Sequence, residues 1–295
     1  NMKILITGAT GFLGDSLVKS LIGDTYNIAV MSRITSVISS LDRISKNISI
    51  FKFSGHEEIN SIFTSFRPDI IIHTACCYDR NGASKEQIFE ANYYLGKELV
   101  KSAMRLDKEI FFLNMATAMP KNLNLYTESK SIFSTYGQSK NNTSGLNFID
   151  IYLQFFYGIE DKSSSFVMKL IDACLLNKSS FQLTSGVQKR DFIYIDDLLS
   201  ALHLVLKKIH LFKEINFLEI GSGESITIKD FAELIKRLAK SNTKLDFSAV
   251  PLRDNEPMEC IADINQLTDL GWRPMYNLNN GINILIEDKL ERGAK

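Results

Sequence analysis

The stretch KILITGATGFLG, residues 3–14, decides the fold of this chain. Its first five residues are rich in apolar and β-branched side chains and predict a short buried strand. The three glycines that follow, Gly8, Gly11 and Gly14, predict a tight turn into a helix. Such a turn lets the backbone approach a pyrophosphate, and the helix N-terminus offers free N–H groups and a positive dipole end. The stretch therefore predicts a dinucleotide-binding βαβ unit.

Short apolar runs alternate with helical patterns through the first half of the chain. Strands are predicted at 3–7, 27–31, 48–53, 69–73, 110–113 and 148–153, and helices at about 12–23, 57–66, 86–106 and 125–141. Most of the strand runs are apolar without alternation, as expected for strands that are covered on both faces. The order of elements predicts an α/β fold with a doubly wound parallel sheet.

After residue 158 this rhythm changes, and a helix near 166–176 is followed by short strand-like runs and a proline-containing tail. The change predicts a second, smaller C-terminal lobe. The expected domains are a dinucleotide-binding domain over 1–158, with returning segments near 190–220, and a lobe over 159–189 and 221–295.

Charge and composition argue against several classes of protein. Lysine plus arginine equals aspartate plus glutamate at 34 each, so the chain has no overall basic field and no nucleic-acid partner is expected. No apolar run reaches membrane-spanning length and no signal-peptide pattern is seen, which predicts a cytoplasmic protein without membrane insertion. The four cysteines lack metal-ligand spacing, so reduced thiols and no metal site are expected.

The end of the second predicted strand bears on the choice of cofactor. Enzymes that use NAD commonly carry an acidic residue there, which hydrogen-bonds the adenosine ribose. Here Ser32 and Arg33 occupy that place. A guanidinium pairs with a 2′-phosphate through two hydrogen bonds, whereas a carboxylate would repel it. The sequence favours NADP(H) and leaves NAD(H) open; a surface arginine without a ligand is the alternative.

The pattern Tyr-x-x-x-Lys occurs twice, as Tyr126 with Lys130 and as Tyr136 with Lys140. Ligands of a doubly wound sheet bind beyond the carboxyl ends of the strands, where the following helices begin. Asn124 is a suitable N-cap, which places Tyr126 in the first turn of its helix. Tyr136 lies about 15 Å further along the axis. We therefore predict that Tyr126 and Lys130 do the chemistry and that Tyr136 is a packed or surface residue.

The residue types of this pair indicate an acid–base reaction. A phenol has an ordinary pKa of about 10, so it needs a fixed positive neighbour to act near neutral pH. Lys130 can supply that charge and also bind the ribose hydroxyls of a cofactor. Tyr126 would then donate a proton to a carbonyl oxygen while the nicotinamide delivers a hydride to the carbon.

Three motifs follow one another along the chain: the glycine stretch, DIIIHTAC (69–76) and YTESK (126–130). On these motifs the chain resembles, nearly from end to end, the extended short-chain dehydrogenase/reductases that act on nucleotide-sugars, the NAD-dependent epimerase/dehydratase family. Within that family, HTACCYDRNG (73–82), the segment 113–133 and LQFFYG (153–158) look most like the CDP-abequose and CDP-paratose synthases. The resemblance implies a Rossmann-type domain and a lobe that binds a nucleotide-sugar.

The resemblance also implies an activity. It predicts NADPH-dependent reduction of the 4-keto group of a CDP- or dTDP-linked deoxysugar, in the synthesis of surface polysaccharide (O-antigen, lipopolysaccharide) precursors. A homodimer is expected by the same analogy. Two alternatives stay open: a nucleotide-sugar 4-epimerase with tightly bound NAD, and a non-catalytic NADP-binding protein of the same fold.

The resemblance assigns roles to three sets of residues. The catalytic set is Tyr126, Lys130 and Thr117. The cofactor set is Gly8, Thr10, Gly11, Phe12, Leu13, Gly14, Ser32, Arg33, Thr74, Ala75, Cys76, Asn92, Tyr126 and Lys130. The substrate set is Tyr78, Arg80, Tyr157, Arg190 and Arg253.

Several positions depart from the family pattern. Met115 stands about where a serine or threonine usually hydrogen-bonds the reacting oxygen, so either Thr117 takes over or activity is weaker. Losing such a donor costs about 2.7–4 kcal/mol of barrier. Ser54 replaces an aspartate expected near the adenine, and Asp79 stands where a glycine is expected. His73 is predicted to be a packing residue rather than a catalyst.

Overall fold

The computed structural model describes residues 1–37, 40–41, 46–79, 82–161 and 165–293. Contacts divide the chain into two compact units. The N-terminal unit comprises Asn1–Tyr152 and Val205–Leu218, and the C-terminal unit comprises Leu153–Leu204 and Glu219–Lys295. In the described ranges, no helix has the length and apolar character needed to cross a membrane.

The elements follow the alternation that the sequence predicts. The first are β1 (Lys3–Thr7), α1 (Phe12–Leu21), β2 (Asn27–Arg33), β3 (Ser49–Phe53), α2 (Ile59–Phe66), β4 (Ile70–His73), α3 (Lys85–Phe89), α4 (Leu95–Met104), β5 (Ile110–Thr117), α5 (Leu125–Lys140) and β6 (Leu146–Leu153). They are followed by β7 (Phe155–Tyr157), α6 (Phe166–Leu175), β8 (Ser180–Gln182), β9 (Lys189–Arg190), β10 (Phe192–Tyr194), α7 (Ile195–Lys207), β11 (Phe217–Ile220), β12 (Ile226–Thr227), α8 (Ile228–Leu238), β13 (Lys244–Asp246), β14 (Glu259–Cys260), α9 (Asn265–Asp269) and α10 (Leu278–Gly293).

The main sheet has seven strands in the order β11–β6–β5–β4–β1–β2–β3. The four pairs from β3 to β5 are parallel. This order confirms the predicted α/β fold with a doubly wound, Rossmann-type sheet. The strand order reverses between β1 and β4, and the crevice at such a reversal is where these sheets bind ligands. The loops after β1 and β4 therefore frame the candidate site.

The central strands are buried on both faces. Residues 4–6 of β1 and residues 70–72 of β4 are fully buried, which explains why their sequence shows no alternation. On one side of the sheet, the rings of Phe112 and Phe148 stack with centroids 5.2 Å apart. Phe133 of α5 packs edge-on against both rings, and so fixes the helix that carries the predicted catalytic pair.

The helix predicted at 86–106 is interrupted in the structure. It forms α3 and α4, which are joined by a π-helical turn at Glu90–Tyr94. Such a turn bulges from the regular helical hydrogen-bond ladder and is frequent at functional sites. Apolar residues continue on both sides of the turn, so the sequence pattern does not reveal it. Asn92, one of the predicted site residues, lies in this turn.

The boundaries of the units differ from the predicted domains. Residues 190–204 were expected to return to the first domain, but they lie in the C-terminal unit. Strand pairing explains the difference, because β9 pairs with β12 and β14, and β10 pairs with β7, all within that unit. Residues 205–218 do return. The roles of the units in binding cofactor and substrate stay predictions.

Candidate active site

The glycines of the first loop are required by close approach of the backbone. A Cβ on Gly8, whose φ is 75°, would lie 2.4 Å from the backbone nitrogen of Ala75. A Cβ on Gly14 would lie 2.3 Å from the carbonyl oxygen of Gly8. Gly11 is the N-cap of α1 and gives that helix no side-chain cap, which leaves its first N–H groups for another acceptor. These residues fit the pyrophosphate of a dinucleotide.

The other predicted cofactor residues of this loop surround the start of α1. Thr10 is exposed in the turn, Phe12 begins the helix and is half-buried, and Leu13 is buried. Their position next to the glycines agrees with a nucleotide-binding loop. Their contacts with a cofactor stay predictions.

The β4 loop, residues 74–79, lies against the glycine loop. Thr74 joins the start of this loop to the end of β1, because its Oγ1 donates a hydrogen bond to the carbonyl oxygen of Thr7 at 2.7 Å. Ala75 is the residue whose backbone approaches the first glycine, and Cys76 beside it is half-buried. The structure therefore brings together the two loops that the sequence assigns to the cofactor.

Asn92 is buried and uses its carboxamide within the protein. Its Oδ1 accepts a hydrogen bond from the backbone N–H of Cys77 at 2.7 Å, and its Nδ2 donates to the Cys77 carbonyl oxygen at 2.8 Å. The Nδ2 also donates to Oγ of Ser129 in α5 at 3.0 Å. Asn92 thus joins the π-helical turn, the β4 loop and α5. Its direct contact with a cofactor stays a prediction.

A cavity of about 390 Å³ lies at the carboxyl ends of β2 and β3. Its lining consists of Arg33, Ile34, Thr35, Phe53, Ser54, Gly55, His56, Glu57 and Glu90. Arg33 is exposed, and no ion pair joins it to another residue in the described part of the chain. Ser32 beside it is buried. Glu90 Oε1 pairs with His56 Nε2 at 2.7 Å. The cavity therefore has both a guanidinium and carboxylates in its lining.

Tyr126 and Lys130 lie one turn apart at the start of α5. The predicted cap is confirmed: Oδ1 of Asn124 accepts a hydrogen bond from the N–H of Thr127 at 2.9 Å, and the Thr127 hydroxyl oxygen accepts one from the Asn124 N–H at 3.1 Å. Tyr126 is half-buried, whereas Lys130 is 2% exposed. These two reciprocal hydrogen bonds fix the first turn of α5, which carries Tyr126 and precedes Lys130.

Lys130 is a buried lysine. Burial lowers the pKa of Lys130, because the ammonium loses its hydration. The acidic groups of Cys76 and Asp150 act in the opposite direction and favour the charged form. A lysine with a pKa shifted by burial and by specific charge partners is typical of functional sites.

Tyr136 is packed between helices instead. Its ring meets that of Tyr93 edge-on, with centroids 6.3 Å apart, and the ammonium groups of Lys97 and Lys140 lie 5.7 Å from its centroid. Burial raises the pKa of Tyr136, which makes its phenol a poorer acid. These contacts support the choice of Tyr126 over Tyr136.

Met115 and Thr117 both lie in β5, which runs further than the predicted strand. Residues two apart in a strand share a face, so Thr117 lies about 6–7 Å beyond Met115 on that face. Met115 is buried, and Thr117 is half-buried at the carboxyl end. The Thr117 oxygen accepts a hydrogen bond from the N–H of Met119 at 3.2 Å, which leaves its hydroxyl proton free to be donated.

His73 is completely buried at the end of β4. Its Nδ1 lies 2.8 Å from Oγ1 of Thr7, and its ring packs edge-on against Phe133 with centroids 5.4 Å apart. Burial lowers the pKa of His73 to about 3, and the positive charge of Lys130 acts in the same direction. The imidazole is therefore neutral near pH 7, which supports its interpretation as a packing residue.

A buried polar network lies under α5 and was not predicted from the sequence. Asp150 of β6 accepts hydrogen bonds from Nδ2 of Asn114 at 2.7 Å, Oγ of Ser134 at 2.8 Å and Nε2 of Gln138 at 3.0 Å. The network ties the helix to β5 and β6 one turn after Lys130. The sequence feature that could have indicated this network is a single aspartate within the apolar run of β6.

Tyr78, a predicted substrate contact, lies beside the predicted catalytic tyrosine. Its ring stacks on that of Tyr126, with centroids 4.8 Å apart and an interplanar angle of 26°. The next residue, Asp79, accepts a hydrogen bond at Oδ2 from the backbone N–H of Leu125 at 3.3 Å. Arg80, also predicted to bind substrate, lies outside the described residues.

Arg190, a predicted substrate contact, uses its guanidinium within the protein. It is 2% exposed in the C-terminal unit, and its guanidinium donates to the carbonyl oxygens of Lys189 at 2.7 Å and Pro257 at 2.8 Å. It also forms an ion pair with Glu256. These partners take three of the five N–H donors of its guanidinium, and its role in binding substrate stays a prediction.

Tyr157 and Arg253 also lie in the C-terminal unit. Tyr157 is 1% exposed, and a Cβ on Gly281 would lie 2.2 Å from its hydroxyl oxygen. Burial raises the pKa of Tyr157. It is thus a core residue of the C-terminal unit, and its substrate contact stays a prediction. Arg253 is exposed, and its role stays a prediction.

The sequence pattern of the NAD dependent epimerase/dehydratase family matches residues 4–221. The chain belongs to this family. It is 30% identical to the CDP-abequose synthase of Salmonella muenchen, over 98% of both chains. It is 27% identical to the dTDP-4-dehydro-6-deoxyglucose reductase of Escherichia coli, over 96% of both chains. The solved UDP-glucuronic acid 4-epimerase of Bacillus cereus, in complex with UDP-glucuronic acid and NAD, has a TM-score of 0.84 and 18% identity, covering 99% of this chain and 100% of that one.

Membership of the epimerase/dehydratase family confirms the resemblance and the prediction of an enzyme of this class. Relatives that match along the whole chain are nucleotide-sugar oxidoreductases and epimerases. The family is named for its use of NAD, and the glycine loop with the open N-terminus of α1 fits such a dinucleotide.

Proposed function

We propose that this family member reduces the 4-keto group of a CDP- or dTDP-linked deoxysugar with NADPH. The observation that carries the proposal is the pair of Tyr126 and buried Lys130, one turn apart beside the loops that follow β1 and β4. The full-length similarity to a CDP-abequose synthase and to a dTDP-4-dehydro-6-deoxyglucose reductase supports the substrate class.

Tyr126 acts as the acid of this reaction. The reduced nicotinamide, when bound, supplies the hydride to the carbonyl carbon. Tyr126 gives its phenolic proton to the carbonyl oxygen, so that the ketone becomes an alcohol. The ammonium of Lys130 stabilises the phenolate that remains and binds the ribose hydroxyls of the cofactor. Solvent then returns a proton to Tyr126.

Thr117 supplies the second hydrogen bond to the reacting oxygen. Methionine at 115 cannot donate, whereas the Thr117 hydroxyl can. Both residues lie on one face of β5, and Thr117 stands at its carboxyl end, where ligands of such sheets bind. The hydroxyl would stabilise negative charge on the oxygen as hydride arrives.

NADPH is the preferred cofactor because of Arg33. Its guanidinium is exposed in the cavity at the ends of β2 and β3, where the adenosine ribose of a dinucleotide binds in such sheets. It can pair with a 2′-phosphate through two hydrogen bonds. An O-antigen role, a cytoplasmic location and a homodimer stay predictions from the family resemblance.

One alternative has an observation in its favour. The carboxylates of Glu57 and Glu90 line the same cavity as Arg33. A carboxylate there accepts hydrogen bonds from the free ribose hydroxyls of NAD. A 4-epimerase that retains NAD is therefore the second candidate.

Cofactor oxidation tests the proposal. Purified protein is mixed with NADPH or NADH and with CDP- or dTDP-linked 4-keto-deoxysugars, and the absorbance of the reduced nicotinamide is followed. We expect consumption with NADPH and with one of the two nucleotides. Epimerisation without net oxidation, by protein purified with bound NAD, would favour the second candidate. NADPH binding without any turnover would favour a non-catalytic protein.

A further inference from the structure

The β4 loop is held against α5 at two points beside Tyr126. The backbone N–H of Leu125, the first residue of α5, donates to Oδ2 of Asp79 at 3.3 Å. Next to this bond, the ring of Tyr78 stacks on that of Tyr126 at a centroid distance of 4.8 Å. Both contacts fall on the first turn of the helix that carries the predicted acid.

Asp79 suits the N-terminus of α5. The first turn of a helix leaves several N–H groups without intrahelical partners, and the cap residue Asn124 already accepts from Thr127. Asp79 supplies a further acceptor, to Leu125, from a different loop. Its negative charge also faces the positive end of the helix dipole. A glycine, expected here from the family resemblance, could provide neither the acceptor nor the charge.

The residues on either side of Tyr78 are both anchored. Cys77 precedes it, and Asn92 holds both the N–H and the carbonyl oxygen of Cys77. Asp79 follows it and is held by Leu125. The backbone that carries the Tyr78 ring is therefore fixed on both sides, although the residue is 40% exposed.

We propose that Tyr78 and Asp79 are positioning residues that hold the ring of Tyr126 in the orientation needed for proton transfer. This inference rests on the proposed reductase function. The stacked ring of Tyr78 covers one face of Tyr126 and limits its rotation, and the bond from Leu125 to Asp79 fixes the spacing between loop and helix. Misplacing a reacting group by about 1 Å can slow a reaction on the order of a hundredfold.

Two pairs of variants test the proposal. Asp79→Ala removes the acceptor and the charge, whereas Asp79→Asn keeps an acceptor oxygen. Tyr78→Leu removes the stacked ring, whereas Tyr78→Phe keeps it. Asp230→Ala is the matched control, because Asp230 is an acidic residue in the first turn of another helix, α8, in the C-terminal unit.

The expected result is a loss of kcat without a loss of cofactor affinity. Asp79→Ala and Tyr78→Leu should lower kcat about ten- to a hundredfold, with the Kd for NADPH unchanged. Asp79→Asn and Tyr78→Phe should recover most of kcat, and Asp230→Ala should keep it. Wild-type kcat in Asp79→Ala and Tyr78→Leu would overturn the proposal. So would a loss of kcat in Asp79→Asn and Tyr78→Phe as large as that in Asp79→Ala and Tyr78→Leu.

Hydrogen–deuterium exchange separates this test from a failure of the reductase function, because it needs no substrate. In Asp79→Ala, peptides covering residues 77–79 and the first turn of α5 should exchange faster than in wild type, and in Asp230→Ala they should not. If wild type reduces no 4-keto sugar while exchange behaves in this way, the proposed function is wrong and the anchoring of the loop still holds. Unchanged exchange in Asp79→Ala overturns the anchoring itself.

Discussion

The side chain of Asn92 pairs with both backbone polar groups of Cys77, accepting from the N–H at 2.7 Å and donating to the carbonyl oxygen at 2.8 Å. The same carboxamide donates to Ser129 in α5. One buried residue in a π-helical turn therefore sets the β4 loop, which faces the predicted cofactor, against the helix that carries Tyr126. Cofactor binding and catalytic geometry depend on this junction.

Replacing Asn92 should weaken both the fold and cofactor binding. Asn92→Ala removes the hydrogen-bond partner of the N–H and of the carbonyl of Cys77, and each of these bonds contributes about 0.5–1.5 kcal/mol. We expect a lower denaturant midpoint and a higher Kd for NADPH, measured by urea unfolding and by nucleotide fluorescence. Asn280→Ala, an exposed asparagine in α10, is the control and should change neither. Wild-type values for Asn92→Ala would contradict the role of the junction.

Arg33 should decide between the two cofactors. A charged hydrogen bond contributes about 1.5–3 kcal/mol, so Arg33→Ala should raise the KM for NADPH about ten- to a hundredfold. The KM for NADH should change little, because NADH carries no 2′-phosphate. Arg237→Ala removes an exposed arginine of α8 and serves as the control. An equal effect on both cofactors would mean that Arg33 does not read the phosphate.

Much of the fold could be predicted, because it depends on local signals. The glycine stretch, the uninterrupted apolar strands and the Asn124 cap each act over a few residues, and all three led to the right elements. The π-helical turn around Asn92 could not, because apolar residues continue on both sides of it. The position of Tyr126 at the start of α5 followed from the same local signals.

Pairings between distant residues limited the prediction of the site. Arg190 was assigned to the substrate from the family resemblance, and no local pattern predicts its ion pair with Glu256, which lies 66 residues away. Asp79 was seen only as a departure from a family pattern. Its partner Leu125 is 46 residues further along the chain, so the bond becomes visible only when the fold is known.

Thr117 should carry the hydrogen bond that Met115 cannot make. Thr117→Val keeps the shape of the side chain and removes the donor, so we expect kcat to fall about a hundred- to a thousandfold. Thr117→Ser should restore most of the rate. Thr64→Val, in α2, is the control for the same change at an exposed position. If Thr117→Val turned over like wild type, the second hydrogen bond would have another source.

His73 should make the protein sensitive to acid. Its pKa is lowered from 6.5 to about 3 by burial, so the unfolded chain binds a proton that the folded chain does not. Stability must therefore fall as the pH drops from 6.5 towards 3. In His73→Gln, the free energy of unfolding should change less over this interval than in wild type. His210→Gln, at an exposed position, should keep the wild-type slope, and an identical slope in all three proteins would refute the assignment.

The most direct test compares two tyrosines of α5 in the same assay. Tyr126→Phe should lower kcat for the 4-keto-deoxysugar about a hundred- to ten-thousandfold, the range expected for a lost general acid, while NADPH binding is retained. Tyr136→Phe, which keeps the ring packed against Tyr93, should retain the wild-type rate. A Tyr126→Phe variant that turns over like wild type, or equal losses in the two variants, would contradict the assignment of Tyr126 as the proton donor.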